Sequence, residues 1–126
     1  MEDTNKGSTE IGTLETEKTK LKPAKLKIVA FKIEHIEKAH NDKVVFEAKH
    51  PDAEDTIKIS AVSCLNGKQV ITTGTWFNLD ADEKIVKDSA LANLLVSLNV
   101  TNLNDTIGKE IDTEAEEHGY LVFKAY

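Results

Sequence analysis

The sequence predicts a mainly β domain, a barrel of five to six strands with one helix before the last two strands. Three observations predict it. Runs of branched and aromatic residues with two-residue alternation recur between residues 25 and 79. The period changes once to a helical one, at 88–99, and alternation then returns up to residue 126. A chain of 126 residues is one domain's worth and can bury a real core.

The elements follow in order. Residues 1–22 are rich in Thr, Glu, Lys and Gly with scattered apolar residues, too few to offset the entropy of ordering. They are read as a flexible tail, with the domain at 23–126. The run "EKTKLKPAKLK" carries Lys18, Lys20, Lys22, Lys25 and Lys27 into the first strand; it reads as a solvated lead-in or as a basic arm. "AKLKIVAFKIEHIE" is long, and Leu26, Ile28 and Ala30 alternate with Val29, Phe31 and Ile33. Both faces are partly apolar, as in a strand that bends and serves two sides of a barrel. After the turn "HNDK" the strand "VVFEAKH" sends Val44, Phe46 and Ala48 inward and Lys43, Val45 and Lys49 outward. "HPDAED" is a polar loop. In "TIKISAVSCL", Ile57, Ile59 and Ala61 oppose Lys58, Ser60 and Val62, and "NGK" is a hairpin turn into "QVITTGTWFNL". In "DSALANLLVSLN", Leu91, Leu94, Leu95 and Leu98 form one helical stripe, with Asp88 or Ser89 as N-cap. "TIGKEIDT" and "GYLVFKAY" close the domain around the acidic loop "EAEEH".

Composition removes several function classes. All 16 basic residues are lysines, and from Ile28 onward ten lysines face seventeen acids. An acidic surface gains little long-range attraction to nucleic acid, and without arginine there is no bidentate fork for guanine edges, so sequence-specific duplex readout is not expected. No apolar run reaches membrane-spanning length, the N-terminus lacks the apolar segment of a secretory signal, and the single Cys64 permits no disulfide framework. Together these lead to an expectation of cytoplasmic location.

The dispersed His35, His40, His50 and His118 form no ligand pair and read as surface or turn residues, and Cys64 has no activating neighbour. "DADEK" fails as a calcium loop, because Lys84 stands at the fifth position and the glycine is missing. Asp80 and Asp82 are expected to bond nearby backbone instead. No catalytic constellation and no cofactor are expected.

What remains is an outward face. In the strand 70–79, Ile71, Thr73, Thr75, Phe77 and Leu79 share one side and Val70, Thr72, Gly74, Trp76 and Asn78 the other, which puts Phe77 inward and Trp76 outward. In the last strand Leu121, Phe123 and Ala125 go inward and Tyr120, Val122, Lys124 and Tyr126 outward. The outward candidates are thus Trp76, Tyr120 and Tyr126 with Lys43, Lys49, Lys58 and Lys124. Rings stack on unpaired bases and ammonium groups follow the backbone, the combination that a single-stranded nucleic acid requires. Gly74 leaves room on that face for a flat guest. The same pattern also suits cross-strand packing of aromatics.

This order of strands with one helix before two closing strands is that of the OB-fold, a small Greek-key barrel. The strings "TWFNLDADEKIVKDSALANLLVSLNVTNLNDTIGKEIDT" and "GYLVFKAY" resemble small OB-like single-stranded-DNA-binding or replication-associated proteins of archaea and their viruses and plasmids. The resemblance covers about Lys25 to Tyr126. It implies strand-face binding of single-stranded DNA, or of RNA, with rings at Trp76 and Tyr120 and lysines on neighbouring strands. The acidic charge and the missing arginine depart from a typical binder. The alternative reading is a protein–protein interaction module using the same aromatics, including self-association through an open edge of the last strand.

Overall fold

The computed structural model describes residues 21–126. Most of the predicted tail, including Lys18 and Lys20, lies outside the described residues. The strands are β1 (Leu26–Ile36), β2 (Asn41–Lys49), β3 (Ile57–Ile59), β4 (Ala61–Asn66), β5 (Gln69–Gly74), β6 (Glu110–Ile111), β7 (Thr113–Ala115) and β8 (Leu121–Lys124). A single α-helix, α1 (Ala90–Ser97), lies between β5 and β6, and short 3-10 turns cover Glu37–Ala39 and Asn104–Thr106. The molecule is mainly β, with a curled, barrel-like sheet and one α-helix among the described residues.

There are eight strands rather than six because two of them break as they pass between sheets. One sheet runs β3-β2-β1-β6 and the other β5-β4-β8-β7. Ser60 separates β3 from β4, and Asp112 separates β6 from β7. The carbonyls at both breaks are used: Thr75 N–H donates to Ser60 at 3.0 Å and Lys124 N–H to Asp112 at 2.9 Å. β4 pairs with β8 in parallel, Val62 opposite Phe123; the other strand pairs are antiparallel.

Each break or bulge shifts the alternation, and several of the expected faces fail there. In β1 the register slips between Ile28 and Ala30, so Leu26 and Ile28 point inward before the bulge and Phe31 packs on the core after it. Beyond Ser60 the buried residues of β4 include Val62 and Cys64, with Ala61 only half-buried. Val45 and Val122, expected outward, are buried. Leu79, expected inward, is 46% exposed, because the chain has already turned away toward α1.

Phe46 anchors the interior. Its ring meets Phe123 edge-on at 5.4 Å and 70°, and Phe31 at 6.3 Å. Leu91, Leu94, Leu95 and Leu98 are buried, and α1 begins where Ser89 Oγ accepts from Ala92 N–H at 3.1 Å. The hairpin from β4 to β5 turns through Gly67 and Lys68, with Gly67 at φ 66°, which the first position of a type II′ turn requires.

His50, expected at the surface, is fully buried. Its Nδ1 accepts from Asp52 N–H at 2.9 Å, which leaves the proton on Nε2, 2.7 Å from the Lys22 carbonyl to which it donates. Thr113 Oγ1 accepts from Ala24 N–H and donates to the Ala24 carbonyl. These two side chains hold the chain at Lys22 and Ala24 against the sheets. β8 lies between β4 and β7, so the last strand is not an open edge.

Phe46→Ala removes the ring that joins Phe31 to Phe123, and it is expected to lower unfolding free energy by about 3–5 kcal/mol in urea titrations.

Candidate nucleic-acid interface

The position of Trp76 follows from Thr75. β2 pairs with β3 and β5 with β4 on either side of the break at Ser60, and the chain leaving β5 enters the gap between them. There Thr75 is fully buried. Its N–H donates to Ser60, its carbonyl accepts from Val44 N–H at 2.9 Å, and its Oγ1 donates to the Val44 carbonyl at 2.6 Å. Phe77 N–H then donates to the Asp42 carbonyl at 2.8 Å. These bonds set Trp76 opposite Lys43 and turn Phe77 onto the core.

Trp76 is half-buried and lies outside the core cluster. The Lys43 ammonium stands over its ring, 5.1 Å from the centroid. The room expected above Gly74 is taken by these two side chains. A Cβ at residue 74 would come within 2.8 Å of Lys43 Cε and 2.9 Å of Trp76 Nε1. Glycine there lets the indole and the lysine stem lie close over the backbone.

Lys58 is exposed and pairs with Glu47 on the side of β2 that Trp76 also occupies. Lys43 and Glu47 are four residues apart, so Trp76 and Lys58 stand about 13 Å from each other along that edge. Tyr120, 40% exposed, borders an open depression together with Lys58, Leu21, Ile57 and Leu121. Trp76, Lys43 and Lys58 therefore lie along one side of β2, and Tyr120 shares with Lys58 a depression that also reaches Ile57, Ile59 and Leu121 at the core.

The other three candidates do not join it. Lys49 Nζ donates to the carbonyls of Ala53 (2.7 Å) and Glu54 (2.8 Å) and holds the loop after β2. Tyr126 lies six residues beyond Tyr120, about 20 Å along β8. Its hydroxyl donates to Glu114 Oε1 at 2.5 Å, and Lys124 Nζ stands 5.0 Å from its ring. The bond to Glu114 holds the Tyr126 phenol above its usual range. Lys124 and Tyr126 border a groove near the C-terminal end of α1, with Ser97 and Leu98.

Sequence reading missed the charge lattice of the outer face. Lys32 Nζ meets Glu34 at 2.7 Å, and this bond raises the Lys32 pKa and lowers that of Glu34. Glu47 accepts from the Thr56 hydroxyl and stands opposite Lys58. Buried Val45 lies at the centre, paired with Lys32. The signal was available in the outward parity of β2, but the bulge in β1 hides Lys32 and Glu34 from simple alternation.

The two acidic stretches are turns. Asp80 Oδ1 accepts from Asp82 and Lys84 N–H groups. Glu116 Oε1 accepts from His118 and Tyr120 N–H groups, and its Oε2 lies 3.0 Å from His118 Nδ1. The bond to Glu116 raises the His118 pKa, and the same bond lowers that of Glu116. Among the described residues no group of three His, Cys, Asp or Glu side chains could hold a metal ion, and no helix is long and apolar enough to cross a membrane.

Comparisons with protein-family models, curated proteins and solved structures returned no match.

Two outcomes are expected here. Gly74→Ala displaces the indole toward water, so tryptophan emission shifts to the red, and unchanged emission contradicts the packing over Gly74. In Glu116→Gln, His118 titrates at lower pH than in the parent chain, measured from its ring proton shifts. The support this pair gives the turn is full above the ordinary glutamate range and below the ordinary histidine range. It fades on the acid side as Glu116 takes up a proton, and on the alkaline side as His118 loses one.

Proposed function

We propose that this chain is a non-enzymatic OB-like module that binds single-stranded nucleic acid, DNA in preference to RNA, by stacking on exposed rings with lysine contacts to the backbone. The OB-like assignment is supported by the order of pairing. From β1 it passes to β2, to β3 and β4, to β8, to β7 and β6, and back to β1, with one parallel pair and one helix before the closing strands.

The observation that carries the functional reading is Trp76, placed outside the core on the outer side of β2 with an ammonium over its ring. A base approaching that ring displaces Lys43, whose ammonium is then within reach of the adjoining phosphate. Lys58 continues the course about 13 Å further on, a separation of about two nucleotides in an extended strand, and Tyr120 borders the depression beside Lys58. The acids interleaved at Glu34 and Glu47 cancel much of the positive field of this face, so stacking outweighs charge.

A short single-stranded oligonucleotide is expected to quench Trp76 emission. Trp76→Ala is expected to weaken binding by about 1–3 kcal/mol. With two lysines engaged, log affinity should fall against log salt with a slope of about −1 to −2, gentle for a nucleic-acid binder. Absence of quenching at high micromolar oligonucleotide in low salt overturns the proposal.

A further inference from the structure

β5 presents an unguarded edge. Its inner side pairs with β4 from Asn66 opposite Gln69 to Ala61 opposite Gly74, with no register shift. Because Asn66 and Gln69 close a two-residue loop, they form a hydrogen-bonded pair, and the pattern alternates from there. Gln69, Ile71 and Thr73 turn their backbone groups to β4; Val70 and Thr72 turn theirs away. The Ser63 and Thr72 hydroxyls meet at 2.7 Å, the close approach of a non-hydrogen-bonded pair. Among the described residues no strand pairs with the far side of β5.

Edge strands are ordinarily blunted by charge, proline or a bulge. Residues 69–79, "QVITTGTWFNL", hold no charged residue and no proline, in a chain that is 30% charged. β4 is equally uncharged, but it is covered on both sides. At the hairpin tip Leu65 and Val70 are register partners on one face and are 54% and 47% exposed.

We propose that this edge pairs with the same edge of a second copy of the chain, antiparallel about a two-fold axis at Ile71. Val70 of one copy then lies opposite Thr72 of the other, and each pair exchanges both backbone hydrogen bonds, four in all. The ladder is self-complementary because the same two residues supply every donor and acceptor. Charge favours a second copy at this place above others: two chains of net charge −6 repel, and here they meet through an uncharged run. Leu65 and Val70 add apolar area beside the ladder. The contact is small, so association is weak and reversible.

Sedimentation equilibrium of the full chain over about 10 µM to 1 mM tests this. The expected result is a monomer–dimer equilibrium that Val70→Lys and Val70→Pro each abolish, with far-UV circular dichroism unchanged. The proline removes only an outward N–H, so β4 keeps its bonds. Amide exchange measured at both ends of the range supplies a second reading. The Val70 and Thr72 amides become protected at high concentration, whereas Ile71 and Thr73 are protected throughout. A monomer at every concentration overturns the proposal. So does a dimer that both variants retain, or one that leaves Val70 and Thr72 exchanging at the dilute rate.

Discussion

The structure turns on Thr75. A strand pair that diverges exposes backbone groups on both sides of the gap, and a buried unpaired group costs about 1–3 kcal/mol. Thr75 closes the gap with main chain and side chain together: one bond to Ser60 and two to Val44. Its placement has three consequences. β2 and β4 remain parts of one curled surface; Phe77 turns to the core; and Trp76 is left on the outer side, opposite Lys43. A one-residue slip of this register would exchange the two rings.

The outer face beside Trp76 is not a basic patch. Lys32 with Glu34 and Lys58 opposite Glu47 surround a buried Val45, so the lysines are mostly answered by acids close by. Such a lattice gives little long-range pull on a polyanion. On the proposed reading, recognition then falls to short-range contact with flat apolar rings. The uncharged β4–β5 hairpin stands apart from this pattern, and its one charge, Lys68, sits in the turn.

Local periodicity was legible where an element stays regular. The leucine stripe from Leu91 to Leu98 is the buried face of α1, and Ser89 caps it. The "NGK" hairpin falls where its glycine requires. Alternation fails at Val29, Ser60 and Asp112, where a bulge or a passage between sheets adds a residue that no two-residue period can register. His50 was illegible for another reason. A polar loop around Pro51 resembles surface, and only the return of Lys22 over it, with both ring nitrogens satisfied, makes burial affordable. For the candidate site, parity was enough to separate Trp76 from Phe77. It carried no information on the bond that ties Tyr126 to Glu114, or that Lys49 is engaged by its own loop.

The central claim is that one course on the outer surface, from the Trp76 indole past Lys58 to Tyr120, receives the bases of a single strand. Amide and indole shifts of the full chain, followed as a short single-stranded DNA is added, test it most directly. The account predicts that the Trp76 Nε1 proton moves first and furthest, with Lys43, Lys58 and Tyr120, while Lys124 and Tyr126 stay in place. Shifts centred on the groove at the end of α1, with the indole unmoved, would contradict it.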